Sequence, residues 1–403
     1  MTDATTASVA AQANPLESFD LLHPALQRWV HQQGWRSLRP VQSQAITTLA
    51  PPPSPSRESH LTTPGDVILS APTAGGKTEA ALLPALSNLA FAPPTQPGFS
   101  LLYVSPMRAL INDQAPRLES LCAAIDMPFV AWHGETSAAR KRERRQKPEG
   151  VVLITPESLE ALLMNHGGKA PFLFGALRTV IIDEMHSFMD TVRGKQLQSL
   201  LHRVDMAQCQ AHGAHGHATP FAPAQRIGLS ATLGSPEQGQ AFLRPTQPAQ
   251  VALLEGGSGP VRLALQLRGF ERAQGQRDHP EHALNAIAGN AMGSPQGPGS
   301  LMADLFETHR HGHNLIFASS RGEVEETTVK LHELATAQNV PDPFMAHHGS
   351  LARSWREEAE RHMKTATQPA SLVCTTTLEL GVDIGALDAV AQLGPGHRVA
   401  SMR

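Results

Sequence analysis

The sequence predicts an α/β protein of two lobes, each a mostly parallel sheet flanked by helices. Three observations predict it. Short apolar runs alternate with amphipathic or charged stretches, the pattern of strands buried on both faces and joined by helical crossovers. One such run ends in a Gly-rich turn, I-L-S-A-P-T-A-G-G-K-T-E over residues 68–79, and another, V-I-I-D-E-M-H from Val180, ends in two acids. A Gly/Pro/Gln-rich zone around residues 254–300 divides the runs into two series.

The first series places strands at 66–70, 100–105, 151–155, 179–183 and 226–230. The second places them at 314–318, 371–375 and 388–393. Between them lie helical stretches such as 78–90 and 321–335. The boundary falls near 256–259, in E-G-G-S-G-P. Residues 1–255 then form an N-terminal segment and the first lobe, and 256–403 a linker and the second. Two insertions read as surface loops: the Pro/Ser-rich stretch from Pro51, and residues 208–223, rich in His, Gly and Ala.

The composition, 41% hydrophobic and 17% charged over 403 residues, is that of a soluble globular chain of two or three domains. A net charge of -3 provides no global basic field, so any nucleic-acid contact must come from a local groove. Cys122, Cys209 and Cys374 are scattered without a C-x-x-C pattern, which fits a reducing cytoplasm rather than a disulfide scaffold. The first residues lack the basic start and apolar core of a signal peptide. No run approaches the roughly 20 apolar residues of a membrane span. Aromatics make up 4% of the chain, with Tyr103 the single tyrosine, so any base-stacking platform is small.

The Gly-rich turn has the chemistry of a phosphate-binding loop. Thr73, Ala74, Gly75 and Gly76 let the backbone turn so that its N–H groups face an anion at the start of a helix. Lys77 reaches the β- and γ-phosphates of a nucleotide, and Thr78 holds Mg²⁺. Asp183, at the carboxyl end of a buried strand, is the second Mg²⁺ ligand, and Glu184 orients and activates the attacking water. Alone, either motif could be a Gly turn or two solvated acids; together they specify a nucleoside triphosphatase. Upstream, in G-W-R-S-L-R-P-V-Q-S-Q-A-I, the Gln42 amide suits a bidentate pair with adenine N6 and N7. Phe19 is a candidate for stacking on the base, and Trp35 reads as core. An exposed glutamine at a helix start is the bland alternative for Gln42.

Eight motifs follow in order: A-P-T-A-G-G-K-T, S-P-M-R-A-L, T-P-E-S-L, D-E-M-H, S-A-T, I-F-A-S-S-R, H-H-G-S-L-A-R and T-T-T-L-E-L-G-V-D-I-G. In this order they resemble the core of superfamily 2 DEAD/DEAH-box helicases, with the last two similar to the Lhr (large helicase-related) group. The resemblance implies P-loop NTPase lobes of the RecA-like kind, ATP and Mg²⁺ as ligands, and single-stranded DNA as partner, with RNA the alternative. It implies that Ser230 and Thr232 couple Asp183 and the catalytic-motif His186 to the second lobe. It gives strand-backbone contacts to Pro106, Arg108, Thr155 and Glu157 in the first lobe. In the second it gives them to Ser319, Arg321, His348, Gly349, Thr375 and Thr376. Asp383 approaches the ribose. For His186 the plain alternative is a satisfied core histidine.

The family pattern continues after Q-L-G-P-G-H-R-V-A-S into Q-R-x-G-R-x-G-R, whose arginines reach the γ-phosphate. The sequence stops at Arg403 before that segment, and Arg398 is a poor substitute. The expectation is an N-terminal fragment of a longer protein with an incomplete second lobe and weak hydrolysis. An ATP-dependent helicase or translocase is thus the leading reading, and an ATP-gated nucleic-acid-binding module with little turnover the alternative. Two further features stay open. The run A-A-R-K-R-E-R-R-Q-K from Ala138 is a solvated helix face or the rim of a nucleic-acid path. His212, His215 and His217 lack a neighbouring Cys or acid and read as loop rather than metal site.

Overall fold

The computed structural model describes residues 15–50, 65–72, 75–214, 221–231, 233–256, 264–270, 300–365, 367–375 and 387–394. Two compact units divide the chain, Met1–Pro260 and Val261–Met402. In the first, α1 (Pro15–Asp20), α2 (Pro24–Gln32) and α3 (Pro40–Leu49) precede β1 (Val67–Ser70) and α4 (Lys77–Phe91). Next come β2 (Leu101–Val104), α5 (Arg108–Ala123), β3 (Phe129–Trp132), α6 (Ala138–Gln146), β4 (Val151–Ile154), α7 (Pro156–Asn165) and α8 (Ala170–Phe174). The unit closes with β5 (Thr179–Ile182), α9 (Val192–Ala214), β6 (Gln225–Ser230), α10 (Pro236–Leu243) and β7 (Ala252–Glu255). The second unit contains α11 (Leu301–His309), β8 (His313–Phe317), α12 (Arg321–Gln338), β9 (Phe344–His347), α13 (Arg353–Thr365), β10 (Ala370–Cys374) and β11 (Ala389–Gln392).

The first sheet has seven strands in the order β3-β4-β2-β5-β6-β1-β7, and every pair is parallel. Alternate residues feed opposite cores, as the pleat demands. Leu69, Leu101, Leu153, Ile181 and Ile227 join α2–α5 on one face. Ile68, Leu102, Ile154, Val180 and Ile182 join α7–α10 on the other. The second sheet runs β11-β8-β10-β9, also parallel, with the cores of α11–α12 and of α13 around it. Three strands escaped the sequence pattern: β3, β7 and β9. Each is an edge strand of four residues, as short as β1, β2, β4 and β5, although the pattern places the remaining edge strand, β11, at 388–393.

A buried ionic cluster holds the amino-terminal end of the first sheet. Arg226 Nη2 donates to Asp205 Oδ2 at 2.6 Å, Arg244 pairs with Asp66, and Asp66 Oδ1 accepts the Arg226 amide at 2.7 Å. The opposite, carboxyl end is thereby left for chemistry.

Residues 208–223 do not begin as a loop. The helix α9 continues to Ala214, because the buried Gln208 amide bridges two strand entrances. Its Nε2 donates to Leu177 O at 2.7 Å, and its Oε1 accepts from Ala224 N at 3.2 Å. His212 packs on Phe221; His215 and His217 lie outside the described residues. No helix among the described residues is long and apolar enough to cross a membrane.

Candidate active site

The site assembles where β1, β5 and β6 end. From β1 the chain turns through Ala71 and Pro72 into α4, with Thr73 and Ala74 outside the described residues. Gly76 sits at the helix N-cap with φ +79°, a conformation that disfavours a side chain. A Cβ there would lie 2.6 Å from Gln42 Nε2, and one on Gly75 would lie 2.7 Å from Pro72 O. The loop is therefore close-fitting at Gly75 and Gly76, where a side chain would collide with Pro72 O or Gln42. Lys77 opens α4 and folds back over it, its Nζ 2.6 Å from Ala71 O and 3.0 Å from Pro72 O. Burial lowers the pKa of this amine, opposed by the charges of Glu184 and Asp183. Gln42, buried on α3, touches the loop: its Nε2 is 3.4 Å from Gly76 O, and its Oε1 accepts from Arg39 N at 2.9 Å.

The two acids follow β5. Asp183 is 5% exposed and Glu184 8%. Burial first, then the Glu184 charge, pushes the Asp183 carboxyl up to about 7. Burial likewise raises Glu184, against the pull of Lys77. Glu184 holds a left-handed backbone, φ 44° and ψ 48°, a strained conformation for a residue with a Cβ. Its amide donates to Asp183 Oδ1 at 3.0 Å. His186 Nδ1 is 3.4 Å from Glu184 Oε2 and 3.2 Å from Ser230 Oγ at the end of β6. The histidine thus links the second acid to a neighbouring strand; Thr232 lies outside the described residues.

These residues fit a triphosphate with Mg²⁺. The donor set at hand, a carboxylate and the Thr78 hydroxyl, is the hard-oxygen kind that Mg²⁺ takes. Two acids buried together face a single amine, Lys77, so a divalent ion would add a positive charge beside them.

The first-unit backbone-contact candidates also end adjacent strands. Pro106 and Arg108 follow β2, while Thr155 and Glu157 follow β4 and start α7. Thr155 caps that helix, its Oγ1 accepting from Ser158 N at 3.3 Å. Phe19 packs half-buried against the α2–α5 core, edge-on to His31 at 5.2 Å. Trp35 packs there too, edge-on to Trp29.

In the second unit, Ser319, His348 and Thr375 follow β8, β9 and β10. Ser319 N donates to Glu323 Oε2 at 2.7 Å, and Arg321 opens α12. The His348 ring is buried, 3.1 Å from Glu325 Oε1, with Gly349 next to it in the chain. Thr376 and Asp383 lie outside the described residues.

A DEAD/DEAH box helicase profile matches residues 39–239, and a helicase conserved C-terminal domain profile matches 299–403. The chain belongs to the DEAD/DEAH box helicases. Within that family it is similar to the Lhr helicase/probable uracil glycosylase of Mycolicibacterium smegmatis, 28% identical over 88% of this chain and 24% of the relative. It is also similar to the ATP-dependent helicase Lhr-Core of Methanothermobacter thermautotrophicus, 29% identical over 83% of this chain and 37% of the relative. Among solved structures, Mycobacterium smegmatis Lhr bound to ssDNA and AMP-PNP superposes with a TM-score of 0.66. That match is 27% identical and covers 96% of this chain and 45% of the other. The chain therefore spans about a quarter to over a third of the length of these curated relatives.

Two residues of this helicase core escaped the motif reading. Arg193, on α9, donates to Pro106 O and, through Nε, to Glu157 Oε1 at 2.6 Å, fastening the two candidate strand-contact loops together. Tyr103, on β2, is fully buried. Its hydroxyl faces Asp183 and Thr78 without closing a well-formed hydrogen bond to either. Neither lies in a motif, and only the fold brings them to the site.

Proposed function

We propose that the chain is the motor core of an ATP-dependent helicase or translocase, coupling ATP hydrolysis to movement on single-stranded DNA, with RNA the alternative strand. The buried constellation of Lys77, Asp183 and Glu184 beside a glycine cradle carries this reading. The ordered motifs and the Lhr-type relatives support it. Residues 1–255 are the ATP-binding part and 256–403 the C-terminal part, and the scattered cysteines suit a reducing cytoplasm.

The loop from Thr73 to Gly76 and the Lys77 amine bind the triphosphate, and Thr78 and Asp183 hold Mg²⁺. When bound, Mg²⁺ neutralises phosphate charge and polarises the γ-phosphoryl group. Glu184 orients the attacking water and accepts its proton, with a pKa raised by burial toward the useful range. Gln42 reads the adenine edge from beside the loop, Phe19 flanks the base, and Asp383 approaches the ribose. The His186–Ser230 link ties Glu184 to β6, and Ser230 and Thr232 pass the state of the site to the second lobe. Pro106, Arg108, Thr155 and Glu157 grip the strand backbone from the first lobe. Ser319, Arg321, His348, Gly349, Thr375 and Thr376 grip it from the second.

The test is the ATPase rate of the chain with and without single-stranded DNA and RNA, alongside binding of each strand. Strand-stimulated hydrolysis is expected. Binding and hydrolysis that ignore both strands would overturn the motor reading.

A further inference from the structure

The basic run around α6 reads from sequence as a solvated face or a nucleic-acid rim, and the structure separates its six cations: three contact neighbouring groups, two face a groove, and Arg142 is exposed away from both. Arg140 and Arg144 are held by neighbours, while Lys147 makes only an exposed surface pair. Arg140 Nη2 reaches Phe129 O at 3.5 Å, and Glu149 takes Arg144 at 3.2 Å and Lys147 at 3.4 Å. Lys141 and Arg145, one helical turn apart, face an open groove of about 520 Å³. Arg108 and Thr155, from the ends of β2 and β4, line the same groove, as does His166.

Like charges at this spacing repel, and the groove offers them little relief. The burial of Lys141 and then the charge of Arg145 lower its pKa, and burial and Arg145 do the same to His166. Glu157, the acid on the groove wall, is already engaged by Arg193 at 2.6 Å. Arg108 on the groove wall is paired with Glu135 at 3.3 Å, so Lys141 and Arg145 are the cations that face a space favouring an anion. A base-stacking site is a poorer match: Trp132 is 4% exposed, and the Arg145 guanidinium lies 5.9 Å over its ring.

We propose that this groove is a further phosphate-binding site for a single-stranded nucleic-acid backbone, with Lys141 and Arg145 as its cations. It extends the path past Arg108 and Thr155 across the mouth of β3 and β4. The proposal rests on the strand-binding reading of the chain and adds to it a contact outside the helicase motifs.

The test is fluorescence anisotropy of labelled oligo-dT and oligo-U of about 16 nucleotides, titrated at several salt concentrations. Three chains are compared: the parent, Lys141→Gln with Arg145→Gln, and the charge-matched control Arg142→Gln with Lys147→Gln. The groove variant should bind roughly fivefold or more weakly, as two exposed cation–phosphate contacts imply. Its log–log salt slope should fall by about 1 to 1.5, since each single-strand phosphate contact contributes about 0.7. Affinity for a fluorescent ATP analogue and the melting temperature should match the parent, and the control should bind like the parent. Parent-like affinity and slope in the groove variant, or an equal loss in the control, would overturn the groove site while leaving the strand-binding reading intact. A parent chain that binds neither oligonucleotide would overturn both.

Discussion

Both units place a parallel sheet beneath helices and both set candidate residues where strands end, yet they differ in the buried charge they hold at those carboxyl ends. In the first, Lys77, Asp183 and Glu184 are buried around a glycine cradle, and burial drives the acids' pKa values up. In the second, buried histidines meet acids on neighbouring helices: His347 Nε2 is 2.9 Å from Glu360, and His348 Nε2 is 3.1 Å from Glu325. The same scaffold can thus spend stability on poised chemistry or recover it in local pairs. The first arrangement awaits a ligand of complementary charge. The second leans on partly exposed acids within the unit and still leaves His347 Nδ1 and His348 Nε2 without a well-formed hydrogen bond.

The largest effect expected from breaking this contrast is on hydrolysis. Glu184→Gln should lower the single-turnover rate by roughly 10²–10⁴-fold, the usual share of a general base, while nucleotide affinity holds. A variant as fast as its parent would remove Glu184 from the chemistry. Next is Lys77→Ala, which should weaken binding of a fluorescent ATP analogue by roughly a hundredfold, as loss of a buried cation partner implies. Arg321→Ala, at the corresponding helix start of the second unit, should leave that affinity alone.

Smaller effects lie in stability. The Asp183 carboxyl is raised from 3.8 to about 7, so the folded chain binds its proton more tightly than the unfolded one. That favourable contribution is complete below the unfolded value and is lost as pH rises through about 7. Without nucleotide or Mg²⁺, Asp183→Asn should therefore raise the melting temperature at pH 8 by at least about 2 °C. The gain should shrink toward pH 5, and a gain independent of pH would contradict the burial argument. Last, Glu360→Ala should lower stability by about 1 kcal/mol, since it leaves buried His347 without its acid partner, with no change in ATP affinity. A melting curve unchanged from the parent would mean that this pair contributes nothing.

Much of the first unit was legible because its strands are buried on both faces. Continuous runs such as V-I-L-S and V-I-I-D can hardly be anything else, and both carry chemistry at their carboxyl ends. The edge strands β3, β7 and β9 were not legible: β7 and β9 end in Glu255 and His347, and β3, F-V-A-W, is too short an apolar run to tell from a helical stretch by pattern alone. Nor was the length of α9, whose Gly/Ala/His-rich end looks like a loop until Gln208 is seen bridging Leu177 and Ala224.

The sequence by itself determined the two-lobe α/β class, the family, and the residue types of the phosphate loop and acid pair. Those depend on local order: a strand, a turn closed by glycines, and a cation or acid at a fixed step beyond it. Only the tertiary structure decided which distant groups share a space. It brought Gln42 against Gly76, His186 onto Ser230, and Arg193 across Pro106 and Glu157. It also turned Lys141 and Arg145 of a largely basic helix toward one groove, while Glu149 paired with Arg144 and Lys147. A parallel sheet causes this, because it sets side by side strand ends that the chain itself keeps tens of residues apart.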